Sequence, residues 1–495
     1  MNRAIRKIAL ALAIAFAALV AQLAWVQVFS ATKLAENPAN RRLLIKEYSI
    51  DRGAIVAGDK LIAQSIRTND RLKYLRMYPQ GSLFAQISGY YSILYGRYSL
   101  EQTYNDYLVG AGPQDRFSAI VDDLLGRDRK GDSLVLSIDP VLQKVARDAL
   151  GRQRGAAAAI DPKTGEVLAL YANPSYDPNP LSSHNLTEAS NAWARLNADP
   201  LHPLLSRATQ ERYPPGSTFK IIMTAAALED GMTPATTFPN PSVLKLPLTT
   251  RTLSNFGGGA CRGGGHISIA TALRVSCNTT FAQIGLRLGP EKIDAMAQKF
   301  GFGASPLGFD LPAAPSCFVA ISGDGCGPPD LDKPQTAFSA IGQFSVRTTC
   351  LQMAMVAATV SNLGRVPQPH VVREITDQSG AVVKRIVLPS SDPIYSDTTA
   401  TELRDMMIDV VDNGTGRPAR IPSLKGQMGG KTGTAQTGVE GEAPHVWFVA
   451  FAPGIAVAVV VENGGNLADA ATGGKVAGPI AKALIEAKIN ERGPR

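Results

Sequence analysis

In RYPPGSTFKII (residues 212–222) a serine and a lysine, Ser217 and Lys220, stand three residues apart where a proline-stopped extended stretch gives way to good helix formers. On the first turn of a helix such a pair shares one face, so the Lys220 ammonium can reach the Ser217 hydroxyl. The chemistry this points to is nucleophilic. A serine attacks only once a neighbouring base takes its proton, and the positive end of the helix dipole favours the negative charge that develops. A free lysine, with a pKa near ~10.4, is no base at neutral pH. Lowering it to about 7 to 8 takes burial or a second cation and amounts to roughly 3–5 kcal/mol. Lys431, in GGKTGTAQ (429–436), is a candidate for that cation. The glycines there, Gly433 among them, let another backbone approach closely, while Thr432 and Thr434 present hydroxyls along an extended strand, as at a ligand-binding edge. Between the two segments, Ser276-Cys277-Asn278 follows an apolar helical run and offers a second hydroxyl and an amide.

Each of these short patterns has a decoy. Ser30 with Lys33 and Ser242 with Lys245 repeat the first spacing, but one pair lies beside an apolar segment and the other in an extended run before Pro247. Lys163-Thr164-Gly165 repeats the third pattern at a turn, where a lysine is expected to be solvated. Ser183 to Asn185 repeats the second pattern in a loop. The discriminating feature is the ordered set: Ser217 at a helix start, Ser276 after a helix, Lys431 on a strand.

The elements that must position this set are legible in outline. GAAAAIDPKTGEVLALY (155–171) reads as a hairpin with its turn at Asp161 to Gly165. The middle is helical after Ser217, across Ile269 to Leu288, from Glu291, and from Leu351 to Leu363. Strands return in KGQMGGKTGTAQT, HVWFVAFAP and GIAVAVVVENGG, and a last helix, Val476 to Ile489, carries an apolar stripe expected to cover the sheet. Strands at both ends of a helical middle exclude a doubly wound parallel fold and suit an α+β sandwich. Upstream, RRLLIKEYSIDRGAIVAGDKLIAQSI predicts short strands and tight turns, and GRYSLEQTYNDYLVG a short helix; together they form a small, mainly β pedestal. The expected division is a stub over 1–7, an anchor over 8–29, the pedestal over 30–139 and the large domain over 140–495.

The 495 residues exceed what one core organises, and 45% hydrophobic with 19% charged residues is a globular balance. The net charge of +8 is scattered and forms no basic stripe, which argues against nucleic acid as a partner. From Ile8 to Phe29 no residue is charged, a length matching a bilayer core of ~30 Å, and Arg3, Arg6 and Lys7 precede it. The positive-inside rule then leaves the amino terminus in the cytoplasm and the bulk outside the cell membrane. The competing reading is a cleaved signal peptide; Trp25 as an interfacial anchor and the lack of a clear cleavage site favour the anchor. Of five cysteines, local spacing suggests Cys261 with Cys277 and Cys317 with Cys326, leaving Cys350 over. Spacing does not fix connectivity, and all five could equally be small buried hydrophobes. The five histidines show no metal-ligand spacing.

With these motifs the chain resembles the class B penicillin-binding proteins, peptidoglycan D,D-transpeptidases, and is most similar to the short A-type of actinobacteria. The resemblance extends to RGAI at Arg52, to GRYSLEQTYNDYLVG with Glu101, and to NPSYDPN, AIGQFSVRTTCLQMA and HVWFVAFAP. It implies a serine β-lactamase/transpeptidase-like domain, an antiparallel sheet flanked by helices, and acyl transfer from a stem peptide ending in D-Ala-D-Ala. By the family pattern Ser217 attacks, Lys220 is its base, Ser276 relays a proton, and Asn278 orients the substrate amide. Lys431, Thr432 and Thr434 hold the terminal carboxylate, with Gly433 between them. β-Lactams are the implied inhibitors, no cofactor or metal is implied, and a separate glycosyltransferase and division or elongation proteins are the implied partners. The sequence departs from the family at Cys277, at Phe344 where relatives often have glycine, and at Cys350 where they often have proline. The short pedestal also argues against a large dimerisation module. A β-lactamase would need a Glu-x-x-Leu-Asn segment after Ser276, which is missing. A D,D-carboxypeptidase, or a scaffold or sensor that keeps the fold without catalysis, remains as the alternative. Glu101 reads equally as an interdomain ion pair, and Trp447 as core.

Overall fold

The structure, a computed structural model, describes residues 2–28, 30, 47–113, 129–303, 308–323, 325–389 and 391–491. Lys33, Phe29 and the strand expected around 41–46 lie outside them. Helix α1 (Asn2–Val28) leads the chain, followed by strands β1 (Ile55–Ala57), β2 (Lys60–Arg67), β3 (Tyr74–Met77) and β4 (Ser133–Leu136). Next come helix α2 (Pro140–Leu150) and the hairpin β5 (Gly155–Ile160) and β6 (Val167–Asn173). Helix α3 (Lys220–Glu229) is separated by a small hairpin, β7 (Val243–Lys245) and β8 (Thr252–Ser254), from α4 (Ile269–Val275), α5 (Asn278–Leu288) and α6 (Cys350–Ser361). Strands β9 (Val372–Thr376) and β10 (Val382–Arg385), helix α7 (Asp397–Asn413), strands β11 (Gly429–Ala435), β12 (His445–Ala452) and β13 (Ile455–Val461), and helix α8 (Ala477–Glu491) complete the chain.

The large domain is built on a five-stranded antiparallel sheet in the order β11-β12-β13-β5-β6. Its strands read as nearly unbroken apolar runs because both faces are covered. Ala156, Ala158, Val449 and Val460 face the helical side, where α6 packs. Ala157, Phe448, Val457 and Val459 face α2 and α8, whose Leu142, Ala146, Ala481, Leu484 and Ile485 form the second core. The β5–β6 turn closes as expected: the Asp161 carboxylate accepts from the amides of Lys163 (2.8 Å) and Thr164 (3.2 Å), and Lys163 is exposed.

The small sheet has the order β10-β9-β4-β1-β2-β3, so the hairpin β9–β10, from deep inside the later sequence, completes it. Glu101, for which an interdomain ion pair is one reading of the sequence, pairs instead with Arg52 and Arg76 beside this sheet. Its carboxylate accepts from Arg52 Nε (2.6 Å), Arg76 Nε (2.7 Å) and the Tyr78 hydroxyl (3.2 Å), and all three charged residues are buried. The short helix expected in this region forms as two four-residue helices, Leu100–Thr103 and Asn105–Leu108. The helix expected over 269–288 is two helices. Ser276 takes a left-handed conformation (φ +62°) that caps α4, and Cys277 is the N-cap of α5. Both cysteine pairings suggested by spacing are present, Cys261–Cys277 and Cys317–Cys326, and Cys350 is buried and free. Within α1, residues Ile5–Gln27 are long and apolar enough to cross a membrane.

Candidate active site

Ser217 sits in a single 3-10 turn, Gly216–Phe219, that runs directly into α3. The turn lies against the edge of β11, and two glycines make that approach possible. Gly216 has φ +53°, and a Cβ there would stand 2.6 Å from the Thr434 carbonyl oxygen, while one on Gly433 would stand 2.9 Å from that of Pro215. Upstream, Tyr213 pairs with Thr348 through both backbone bonds, and the Trp447 indole donates to the Pro214 carbonyl at 3.0 Å. Trp447 is thus a core residue, fully buried, that also holds the nucleophile turn.

The three segments meet at Ser276. Lys220 Nζ donates to the Ser276 carbonyl (2.9 Å) and to Asn278 Oδ1 (2.7 Å) and lies 3.5 Å from Ser276 Oγ. Lys431 Nζ donates to Ser276 Oγ (2.8 Å) and to the Thr432 carbonyl (3.0 Å). The lysine reaches the second segment, not Ser217, because the left-handed turn at Ser276 aims a carbonyl and a hydroxyl at it. Both lysines are fully buried. Burial, then the charge of Lys431, pulls Lys220 well below the ordinary lysine value, and burial lowers Lys431 to about 7. Ser217, Ser276, Asn278, Thr432, Gly433 and Thr434 line one cavity of 320 Å³ above them. All eight residues singled out in the sequence therefore converge. The decoys do not: Lys163 is at an exposed turn, Lys245 is in β7, and Asn185 caps a helix by accepting from the Thr187 and Glu188 amides.

A penicillin binding protein transpeptidase domain matches residues 155–486, and a penicillin binding protein A dimerisation domain matches residues 52–134. The chain belongs to the penicillin-binding protein transpeptidase family. It is 39% identical to the peptidoglycan D,D-transpeptidase PbpA of Mycolicibacterium smegmatis, over 99% of this chain and 100% of that one. To PbpA of Mycobacterium tuberculosis it is 36% identical, over 99% of each chain. Among solved structures, the ceftriaxone acyl-enzyme complex of penicillin-binding protein A from M. tuberculosis superposes with a TM-score of 0.82 at 37% identity, covering 90% of this chain and 99% of that one. The penicillin G acyl-enzyme complex of the same protein gives 0.81 at 36%, covering 89% and 100%. The dimerisation match falls on the small pedestal, whose shortness puts a large module of that kind in doubt on sequence alone.

For a member of this family, two further residues belong to the site that the sequence did not single out. Asn255 Oδ1 accepts from the amides of Asn278 (2.8 Å) and Thr279 (3.0 Å), so it caps α5 and fixes Asn278 in place. The Thr415 hydroxyl is 2.9 Å from that of Thr432 and lines the same cavity. Neither carries a spacing signal, since each acts through a contact made only by the folded chain.

Proposed function

We propose that this chain is a serine D,D-transpeptidase that cross-links peptidoglycan stem peptides through an acyl-enzyme on Ser217 and is inhibited by β-lactams. The observation that carries this is the pair of buried lysines meeting at Ser276 beneath the cavity that Ser217 lines. Lys220, kept neutral by burial and by the Lys431 charge, takes the Ser217 proton as Oγ bonds to the penultimate carbonyl carbon of the donor. The oxyanion rests on the backbone N–H groups of Ser217 and Thr434, each such donor typically worth ~2.7–4 kcal/mol. As the tetrahedral adduct collapses, the C–N bond breaks and the proton passes from Lys220 through Ser276 Oγ to the departing D-alanine amine. Asn278 orients the donor amide, and Lys431 with Thr432 and Thr434 binds its terminal carboxylate. An amine from a second stem then attacks the ester, and Ser217 leaves with its proton restored.

The helix α1 supplies a single-pass membrane anchor. Arg3, Arg6 and Lys7 before it support, by the positive-inside rule, a cytoplasmic start and a large domain outside, where the wall is. Within this scheme the division is an anchor, a pedestal that includes residues up to 139, and a catalytic domain from 140 onward. Glycan polymerisation falls to a separate partner, since only residues 30–139 separate anchor from catalytic domain.

The test is covalent labelling. A fluorescent penicillin is expected to mark Ser217 in the intact chain, and Ser217→Ala is expected to abolish the mark while leaving the thermal transition unchanged. An adduct of equal yield in that variant removes the assignment. Mass spectrometry of products from a defined stem-peptide donor, with and without an acceptor amine, separates transfer from hydrolysis.

A further inference from the structure

The catalytic cavity opens sideways into a cleft of 900 Å³ that shares Asn255, Phe256, Asn278 and Thr434 with it and runs on past Gln436 to Phe344 and Arg347. Beyond those two residues lies another cavity, of 590 Å³, with both of them in its wall as well. Phe344 is unusual on two counts. Its φ of +59° is a left-handed conformation that costs a bulky residue on the order of 1–3 kcal/mol, and its side chain is 49% exposed. A glycine would hold the same turn without strain.

Arg347 fixes this turn and has donors to spare. Its backbone pairs with Cys317 in both directions (2.9 and 2.8 Å), and one guanidinium nitrogen donates to the carbonyls of Phe344 and Val346, each at 2.9 Å. That occupies one nitrogen of three on a side chain that borders both cavities. Burial, and then the nearby Arg212 charge, lowers its pKa from the ordinary arginine value. Glu211 lines the further cavity, and Glu442 and Asp469 lie on exposed wall of the cleft, but none of them forms an ion pair with Arg347. The direction of the cleft says what reaches it. With the donor's terminal carboxylate at Thr432 and Thr434, the peptide on the other side of the scissile bond must leave along the β11 edge toward Gln436.

We propose that Phe344 and Arg347 form a subsite for the upstream part of the donor stem peptide, Arg347 binding a carboxylate carried there and Phe344 packing against the aliphatic chain beside it. This rests on the transpeptidase reading above. The strain at Phe344 then has a use: it presents a rigid aromatic face into the path of the donor.

The test compares two β-lactams of identical ring, whose stem-like acyl side chain ends either in a carboxylate or in its primary amide, by their rates of acylating Ser217. The native chain is expected to favour the carboxylate about tenfold, as for a charge-assisted hydrogen bond. Arg347→Leu should erase that ratio by slowing the carboxylate compound alone, and Arg347→Lys should retain part of it. Phe344→Gly should slow both compounds by a similar small factor. Equal rates in the native chain, or a parallel loss of both compounds in Arg347→Leu, would show that the arginine only braces its turn. Failure of both compounds to label Ser217 would remove the transpeptidase reading, and the subsite with it.

Discussion

Two clusters of fully buried charge sit in this molecule and their electrostatics run opposite ways. In the pedestal, Glu101 lies between Arg52 and Arg76. Burial alone would raise its pKa, but the charges of Arg76 and Arg52 and the hydrogen bonds they donate outweigh that and hold it below the ordinary carboxylate value. In the catalytic domain Lys220 and Lys431 face each other across Ser276 with no carboxylate between them. Burial lowers the pKa of both lysines, and at Lys220 the charge of Lys431 acts in the same direction. Paired charge locks a structure, whereas unpaired charge of one sign makes a base.

The largest effect is expected from removing the base. Lys220→Met should slow acylation by β-lactam about 10²–10⁴-fold, measured by stopped-flow labelling, without lowering the thermal transition. At neutral pH the unfolded chain protonates Lys220 and the folded chain does not, so native stability rises with pH between the depressed folded value and the ordinary 10.5; in the variant that slope should shrink to the part Lys431 contributes above about 7. The pedestal should behave inversely. Arg76→Ala leaves Glu101 buried with one partner fewer and is expected to cost about 3–5 kcal/mol of stability, read by denaturant melts, while labelling per folded molecule is unchanged. The native contribution of Glu101 is complete above the ordinary carboxylate value of 4.5 and is lost as pH falls through its lower folded value. If Arg76→Ala instead abolished labelling in folded protein, the contrast between the clusters would fail.

The pH profile of acylation sharpens the comparison. The rate should fall in acid as Lys220 takes up a proton, and again as pH rises past about 7 where Lys431 loses its own, giving a bell whose limbs belong to the coupled pair. Lys431→Arg keeps the positive charge throughout and should flatten the alkaline limb. The smallest effect is expected at the neutral bond in the same cleft. Thr415→Val removes the hydroxyl contact to Thr432 and should weaken carboxylate substrates by about 0.5–1.5 kcal/mol, seen in KM more than in kcat.

Much of this site could be read from the chain alone. The Ser217, Ser276 and Lys431 segments each carry a local signal, the β5–β6 hairpin follows from its turn, and the two disulfides are suggested, though not fixed, by short spacings. What escaped reading is non-local. The break at Ser276 depends on a left-handed residue that no local spacing announces, and Asn255 and Thr415 act through side chains that meet their partners after folding. The Glu101 cluster gathers residues 52, 76 and 101 into one module, where spacing could not tell an internal contact from one between domains.

The small sheet has its own consequence for biogenesis. Strand β4 ends at Leu136, yet its neighbour β9 begins only at Val372, so the ribosome must deliver most of the catalytic domain before the pedestal can close. Until then one flank of β4 is an open template for any passing strand. Closure of this long loop must follow synthesis of the β9 strand, so the module nearest the amino terminus is among the last to be finished.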